Sequence, residues 1–174
     1  KFLVDVLDQV NKDCLNVKLY IMGWYNKISY RKQIRNYILS KGLKNKIIFT
    51  GMVDYEDLPI WLSKFNLGIS HIPPTSFYKV SSPTKVLTYL SLGLPVVCNR
   101  EIIDQKNIIL NSEAGYSVPY DKKVFAEKII KLVMNNSLGI GMGNKGRSWV
   151  KKNRSYKELA AKLVNHYSVK LKNR

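Results

Sequence analysis

The feature that most constrains what this chain can fold into is an alternation. Short, continuously apolar runs at 17–22, 46–50, 67–71, 95–99 and 115–118 are each followed by a longer segment compatible with a helix. A strand that is apolar on successive residues presents both faces to a core, and helices between such strands supply the cover, so the pattern predicts a parallel sheet. Right-handed crossovers then give an α/β, Rossmann-like, doubly wound domain. With 174 residues, 45% of them hydrophobic, the chain suffices for one domain with its own core. No internal repeat, low-complexity stretch or linker divides it.

Local signals place the helices. Phe2, Leu3, Val6, Leu7 and Val10 fall at helical spacing and predict an amphipathic helix over 1–13. Ser29 is expected to cap a helix through Leu39 that Gly42 stops. Asp54, with Asp57 in the capping-box position, is expected to open a helix through Phe65. Residues 72–82, with Pro73, Pro74, Ser76, Ser81 and Ser82, read as a loop. The next helix, over 83–92, has Pro83 at its first position and Gly93 just past its end. A short helix and turn within 101–113 and helices over 122–135, 138–151 and 155–171, the last capped by Ser155, complete the reading. The run Gly139-Ile140-Gly141-Met142-Gly143 follows a helix, not a strand, so it reads as a loose helix start rather than a dinucleotide fingerprint. The chain opens with Lys1, already inside a predicted helix, which leads us to expect part of a longer protein.

The formal net charge of +17 admits three kinds of partner: nucleic acid, an anionic membrane surface, or phosphorylated substrates. A solvated lysine-rich surface is the plain alternative. Between 144 and 174 the chain carries Lys or Arg at 145, 147, 151, 152, 154, 157, 162, 170, 172 and 174 against Glu158 alone. Such a helical face suits an anionic membrane surface or simple solvation. Without a helix-turn-helix signal or an aromatic sheet motif, no specific nucleic acid is expected. No apolar run approaches the roughly 20 residues of a membrane span. Cys14 and Cys98 are expected as buried free thiols, in keeping with a reducing, cytosolic setting. His71 and His166 have no partner at ligand spacing, so no metal site is expected.

In an open parallel sheet, ligands bind beyond the C-terminal ends of the strands. Here those ends carry Gly23, the Gly51-Met52-Val53 turn, the 72–82 loop and Asn99-Arg100. The most informative stretch is Ser81-Ser82-Pro83-Thr84-Lys85. A helix N-terminus offers unpaired N–H groups and the positive end of the helix dipole, a natural phosphate site. Three hydroxyls and the Lys85 ammonium add to it, and a cation on the first turn does little for the helix itself. The alternative is that Ser82 is only a helix cap and Lys85 only a surface charge. Asp54, Glu56 and Asp57 suit a helix start better than acid–base chemistry.

Residues 82–97, SPTKVLTYLSLGLPVV, are similar to the P-x-K-x-x-E-Y-x-x-x-G-x-P-V-V pattern of the retaining glycosyltransferases of group 1 (family 4). Other segments follow the family's order: VKLYIMG at 17–23, IIFTGMV at 47–53, LGISHI at 67–72, AGYSVP at 114–119, and the closing segment around 142–156. The resemblance covers nearly the whole chain. It implies a GT-B architecture, two Rossmann-like domains across a cleft, with this chain as the C-terminal, donor-binding domain and the acceptor domain lying outside it. It further implies a nucleotide-diphosphate sugar as donor substrate, no cofactor and no metal, and a role in cell-surface polysaccharide synthesis in a bacterial cytoplasm, where the basic helical face admits peripheral contact with the inner membrane face as well as simple solvation.

On that resemblance the donor-binding residues are Gly23, Gly51, Met52, Val53, Ser81, Ser82, Pro83, Thr84, Lys85 and Thr88. The nucleotide base is expected at the 51–53 turn and the diphosphate at Ser82–Lys85. The family places two glutamates eight positions apart at this loop and helix; aligned on Gly93-Leu94-Pro95, these positions hold Val80 and Thr88. With both carboxylates missing, a non-catalytic nucleotide- or protein-binding module is the competing expectation. The 174 residues alone are expected to be inactive.

Overall fold

The computed structural model describes residues 1–14, 16–23 and 28–172. Helix α1 (Phe2–Asp13) leads into strand β1 (Leu19–Met22), helix α2 (Ile28–Ser40) and strand β2 (Ile47–Gly51). A single 3-10 turn (Tyr55–Asp57) precedes α3 (Leu58–Leu62) and β3 (Gly68–Ser70). Then come α4 (Ser76–Lys79), α5 (Thr84–Ser91), β4 (Val96–Asn99), α6 (Ile103–Ser112) and β5 (Gly115–Val118). Helices α7 (Lys122–Met134), α8 (Asn136–Asn153) and α9 (Tyr156–Lys172) close the chain.

All described strand pairings are parallel, as the apolar runs predict. They form two pieces, β1-β2 and β3-β4-β5. Gly68, Ile69 and Ser70 register with Val96, Val97 and Cys98, which register in turn with Gly115, Tyr116 and Ser117. Strand β4, paired on both edges, is buried at all four residues, whereas β1, paired only with β2, is half-buried throughout.

Helices cover both faces. Val97 faces Val6 and Val10 of α1 and Phe125, Ile129 and Leu132 of α7. Its neighbours Val96 and Cys98 face the other way, onto Val86 and Leu90 of α5, Ile108 and Ile109 of α6, and Trp149 and Val150 of α8. This alternation from one strand residue to the next is the doubly wound arrangement in miniature. A third cluster joins Val4 and Leu7 of α1 to Ile34 and Ile38 of α2 over Ile47.

Several local expectations are corrected. Ser29 does not cap α2, because the helix already includes Ile28 and its start lies against residues outside the described set. Asp54 and Asp57 form no capping bonds. Pro59 has no N–H to continue a helix back to Tyr55, so the expected 54–65 helix splits into the 3-10 turn and the short α3. The 72–82 segment is not all loop: Thr75 Oγ1 accepts from the Tyr78 N–H and starts the one-turn α4. Pro83 flanks α5 in an extended conformation (φ −77°, ψ 109°) rather than occupying its first turn. The Gly139–Gly143 run lies inside α8, which begins at Asn136. Ser155 does cap α9, its Oγ accepting from Glu158 N at 3.3 Å.

Cys14 and Cys98 are buried free thiols, as expected, and burial pushes the Cys98 thiol up to about 12. No helix among the described residues is long and apolar enough to cross a membrane. Nor do the described residues contain a group of three His, Cys, Asp or Glu placed to hold a metal ion.

Candidate functional site

The C-terminal ends of the strands bring the predicted residues to one edge of the sheet. Gly23 ends β1 with φ +120° and Gly51 ends β2 with φ +77°, and the Gly23 N–H donates to the Gly51 carbonyl at 2.8 Å. Both conformations lie in the range glycine tolerates best, so each turn keeps its sharp exit only with glycine. Beyond Gly51, Met52 is 70% exposed and Val53 half-buried.

The stretch before α5 behaves differently from a simple cap. Ser81 Oγ donates to the Tyr78 carbonyl at 2.7 Å. Ser82 Oγ donates to Asp104 Oδ2 at 2.6 Å, and Arg154 contacts the other oxygen of that carboxylate at 3.3 Å. Ser82 therefore leaves α5 without its hydroxyl. No side chain caps α5 and its first turn has no acidic residue. The Val86 N–H donates to the Pro83 carbonyl at 3.3 Å, which leaves the Thr84 and Lys85 amides and the positive end of the dipole for an anion to satisfy.

Thr84, Lys85 and Thr88 line the same cavity as His71, just past the end of β3. Burial lowers the Lys85 pKa, although the side chain keeps an open path to solvent and the desolvation is partial. His71 is pushed down to about 4, by burial first and then by the Lys85 and N-terminal charges, so its imidazole is neutral at pH 7. Its ring stacks on Phe2 at 5.5 Å. Thr88 donates back to the Thr84 carbonyl at 3.2 Å, leaving its oxygen lone pairs for a ligand. Val80, 79% exposed, presents only an apolar surface.

Beneath this edge lies a buried polar network that the sequence did not reveal. Ser70 Oγ donates to Gln105 Oε1 at 2.8 Å, and Gln105 Nε2 donates to the Asn99 carbonyl at 2.7 Å. Asn99 Oδ1 accepts the Ile72 N–H at 2.8 Å, and Asn99 Nδ2 donates to Glu101 Oε2 at 3.1 Å. Glu101 Oε1 accepts the Tyr120 N–H at 2.9 Å. Partial burial raises the Glu101 pKa, but the Tyr120 and Asn99 hydrogen bonds outweigh it and hold the carboxyl below its usual range. The network joins the C-terminal ends of β3, β4 and β5 and fixes where the 72–82 segment leaves the sheet.

The sequence profile of Glycosyl transferases group 1 matches residues 1–135. The chain belongs to the group 1 glycosyltransferases. Solved structures agree on the fold. A TarM mutant from S. aureus, in complex with fondaparinux, α-GlcNAc-glycerol and UDP, is 21% identical with a TM-score of 0.79, over 94% of this chain and 31% of that one. HepE from Anabaena, in complex with UDP and glucose, is 15% identical with a TM-score of 0.77, over 94% of this chain and 44% of that one. The C-terminal domain of the group 1 protein LpcC from Francisella tularensis is 17% identical with a TM-score of 0.75, over 89% of this chain and 78% of that one. This glycosyltransferase chain thus spans less than half of TarM and of HepE. No curated protein sequence matches it.

The structure brings Thr84, Lys85 and Thr88 together around one cavity, and the Gly23 and Gly51 turns to each other. Ser82 is held by Asp104 and Ser81 by Tyr78. Sequence reasoning missed His71 as a site residue because it treated the histidine only as a metal ligand. The available signal was its place at the end of an apolar strand, directly before the Pro73-Pro74 loop.

Proposed function

We propose that this chain is the donor-binding domain of a retaining glycosyltransferase that moves a hexose from a nucleotide-diphosphate sugar to a glycan or lipid-linked acceptor. The carrying observation is the N-terminus of α5: no side-chain cap, no acid, and Lys85 on the first turn beside the neutral His71. The diphosphate rests there, where amide dipoles and one ammonium offset the charge that builds on the leaving group. Met52 and Val53 give the base an apolar surface to lie on, Gly23 and Gly51 let the backbone approach, and Thr88 offers its oxygen to the sugar or ribose. TarM and HepE, both solved with UDP, support the nucleotide reading. The acceptor is held by a further domain outside these residues. Polysaccharide synthesis on the cytoplasmic side of a membrane fits this substrate class.

The absence of a carboxylate at Val80 and at Thr88 favours one competing reading, a nucleotide- or protein-binding module without transferase activity. A thermal-shift titration with UDP, GDP, ADP and CMP tests binding. Ligand at ~100 times its dissociation constant adds about 2.7 kcal/mol of stability, a shift of several degrees for a domain of this size. A shift with one nucleotide supports the donor site and names the base. A flat response from the longer protein to every nucleotide would rule the donor site out. Nucleotide binding without sugar transfer, in that same protein, would favour the non-catalytic module.

A further inference from the structure

A diphosphate carries more charge than the single ammonium of Lys85 offsets, and the end of α8 brings a second cation to the start of α5. Gly143 of α8 faces the Gly93 carbonyl just past the end of α5, and Gly146 faces Leu90 within it. The two helices therefore run antiparallel, and Arg154, which follows the last residue of α8, arrives level with the start of α5. There its guanidinium donates to Asp104 Oδ1 at 3.3 Å, while Ser82 Oγ donates to Oδ2 at 2.6 Å. Arg154 thus stands two hydrogen bonds from the residue that leads into α5. Its side chain is 35% exposed, and the Trp149 ring lies 6.0 Å from its guanidinium carbon.

The fold itself asks little of this pair. An ion pair as open to solvent as Arg154–Asp104 adds little to stability. A guanidinium has five N–H donors, and among the described residues Arg154 spends one of them, on a contact longer than the Ser82 bond. Asp104 unpaired would also repel an anion seated on the Thr84 and Lys85 amides, so a cation beside it serves the anion as well as the carboxylate.

We propose that Arg154 is a second phosphate-binding residue of the donor site, keeping one N–H on Asp104 and turning its unspent donors to the β-phosphate of a nucleotide-diphosphate sugar. This rests on the donor-site reading above. The sheet order decides which phosphate it meets. The base is assigned to the turn after β2, and Thr84, Lys85 and Thr88 face the β1 and β3 side of α5. Asp104 lies in the first turn of α6, which packs on β4 and β5. Arg154 therefore reaches α5 from the side opposite the base and takes the phosphate farther from it, the one that carries the sugar. A planar guanidinium fork suits paired phosphate oxygens in a way that an ammonium does not.

The test is calorimetric titration of the full-length protein with UDP, GDP, ADP and CDP, each beside its monophosphate. Arg154→Gln should weaken binding of the recognised diphosphate about tenfold and of its monophosphate by less than about twofold. Arg154→Lys should recover part of the loss. Asp104→Asn, which frees the guanidinium and removes a repelling charge, should leave diphosphate binding unchanged or tighter. Lys152→Gln, the same charge change on an exposed residue of α8, should shift neither affinity by more than about twofold. Equal losses for monophosphate and diphosphate in Arg154→Gln would assign the arginine to folding and overturn the proposal. So would an unchanged diphosphate affinity in Arg154→Gln when Lys85→Ala weakens it, a result that leaves the donor site standing. An unsubstituted protein that binds none of the diphosphates would remove the donor site and this proposal together. If Arg154→Gln does not fold, the sign in Asp104→Asn decides, and weaker diphosphate binding there overturns the role.

Discussion

The Ser82 hydroxyl points at the Asp104 carboxylate, 2.6 Å away, and not at the helix it precedes. That single bond links the start of α5 to the first turn of α6, and Arg154, on the same carboxylate, extends the link to the end of α8. It also defines what α5 lacks.

Replacing Lys85 should separate binding from folding. Its ammonium sits at the positive end of the α5 dipole, where a cation is slightly unfavourable. Lys85→Ala should leave the melting temperature unchanged or slightly raised while weakening nucleotide-diphosphate binding about tenfold, the effect of one partly solvent-exposed charge-assisted contact. Calorimetric titration checks it; unchanged affinity removes Lys85 from the site.

Asn99 should matter to stability first. Asn99→Ala strips the partner from the Ile72 N–H and from Glu101 Oε2. Leaving such groups unpaired should cost about 2 to 3 kcal/mol, read from urea unfolding. The exit of the 72–82 segment should loosen with it, so nucleotide affinity should fall in the same variant.

His71 predicts a pH dependence. Its pKa is about 4 in the fold against 6.5 unperturbed. The unfolded chain therefore binds more protons between these values, so stability is complete above about pH 6.5 and declines as pH falls towards 4. The loss amounts to about 2 to 3 kcal/mol. His71→Phe keeps a ring against Phe2 and should flatten that part of the stability–pH curve. A slope that survives the substitution assigns the titration to another group.

Two glycines in one helix should respond with opposite sign. A methyl built on Gly143 overlaps the Gly93 carbonyl oxygen, whereas one on Gly141 meets nothing within 4 Å. Gly141→Ala should stabilise by about 1 kcal/mol through helix propensity. Gly143→Ala should destabilise by about 2 kcal/mol or more, because backbone must move. Thermal unfolding of the pair decides it.

The basic C-terminal surface predicts membrane contact. Lys145 and Arg154 are paired with Glu113 and Asp104, whereas Arg147, Lys151 and Lys152 of α8 are exposed and add to the basic surface of α9. There Leu159, Leu163, Val164 and Tyr167 are exposed beside Lys157 and Lys162. Sedimentation with vesicles should show pelleting that rises with anionic lipid and falls with salt. Equal pelleting on neutral vesicles removes the idea. Arg174 lies outside the described residues.

What the sequence disclosed, it disclosed through periodicity. The run at 115–118 and the helix from Phe2 appear where expected because each is decided by its own residues. The helix from Asp54 failed because a capping pattern says nothing of Pro59 one turn on. Helix α4 escaped because a single turn has no period to detect. The Ser70–Gln105–Asn99 network was invisible for another reason: Ser70 and Gln105 are 35 positions apart, and only the fold makes them neighbours. The site was half legible. The Ser82–Lys85 stretch marked the right helix start, but the diversion of Ser82 to Asp104 and the neutrality of His71 depend on burial and on distant partners.

The close seat of α8 has a consequence for where this unit ends. The family profile stops at residue 135, yet Gly143 of α8 rests on the turn that terminates α5, and Gly146 rests on Leu90 and Ala114. Trp149 and Val150 pack behind the same helix. A truncation drawn at the edge of sequence similarity would strip the support from behind α5 and expose the apolar side of β4. The boundary of cooperative folding therefore lies at or beyond residue 153, and shared ancestry, as far as the profile traces it, is shorter than the piece of chain that must fold together.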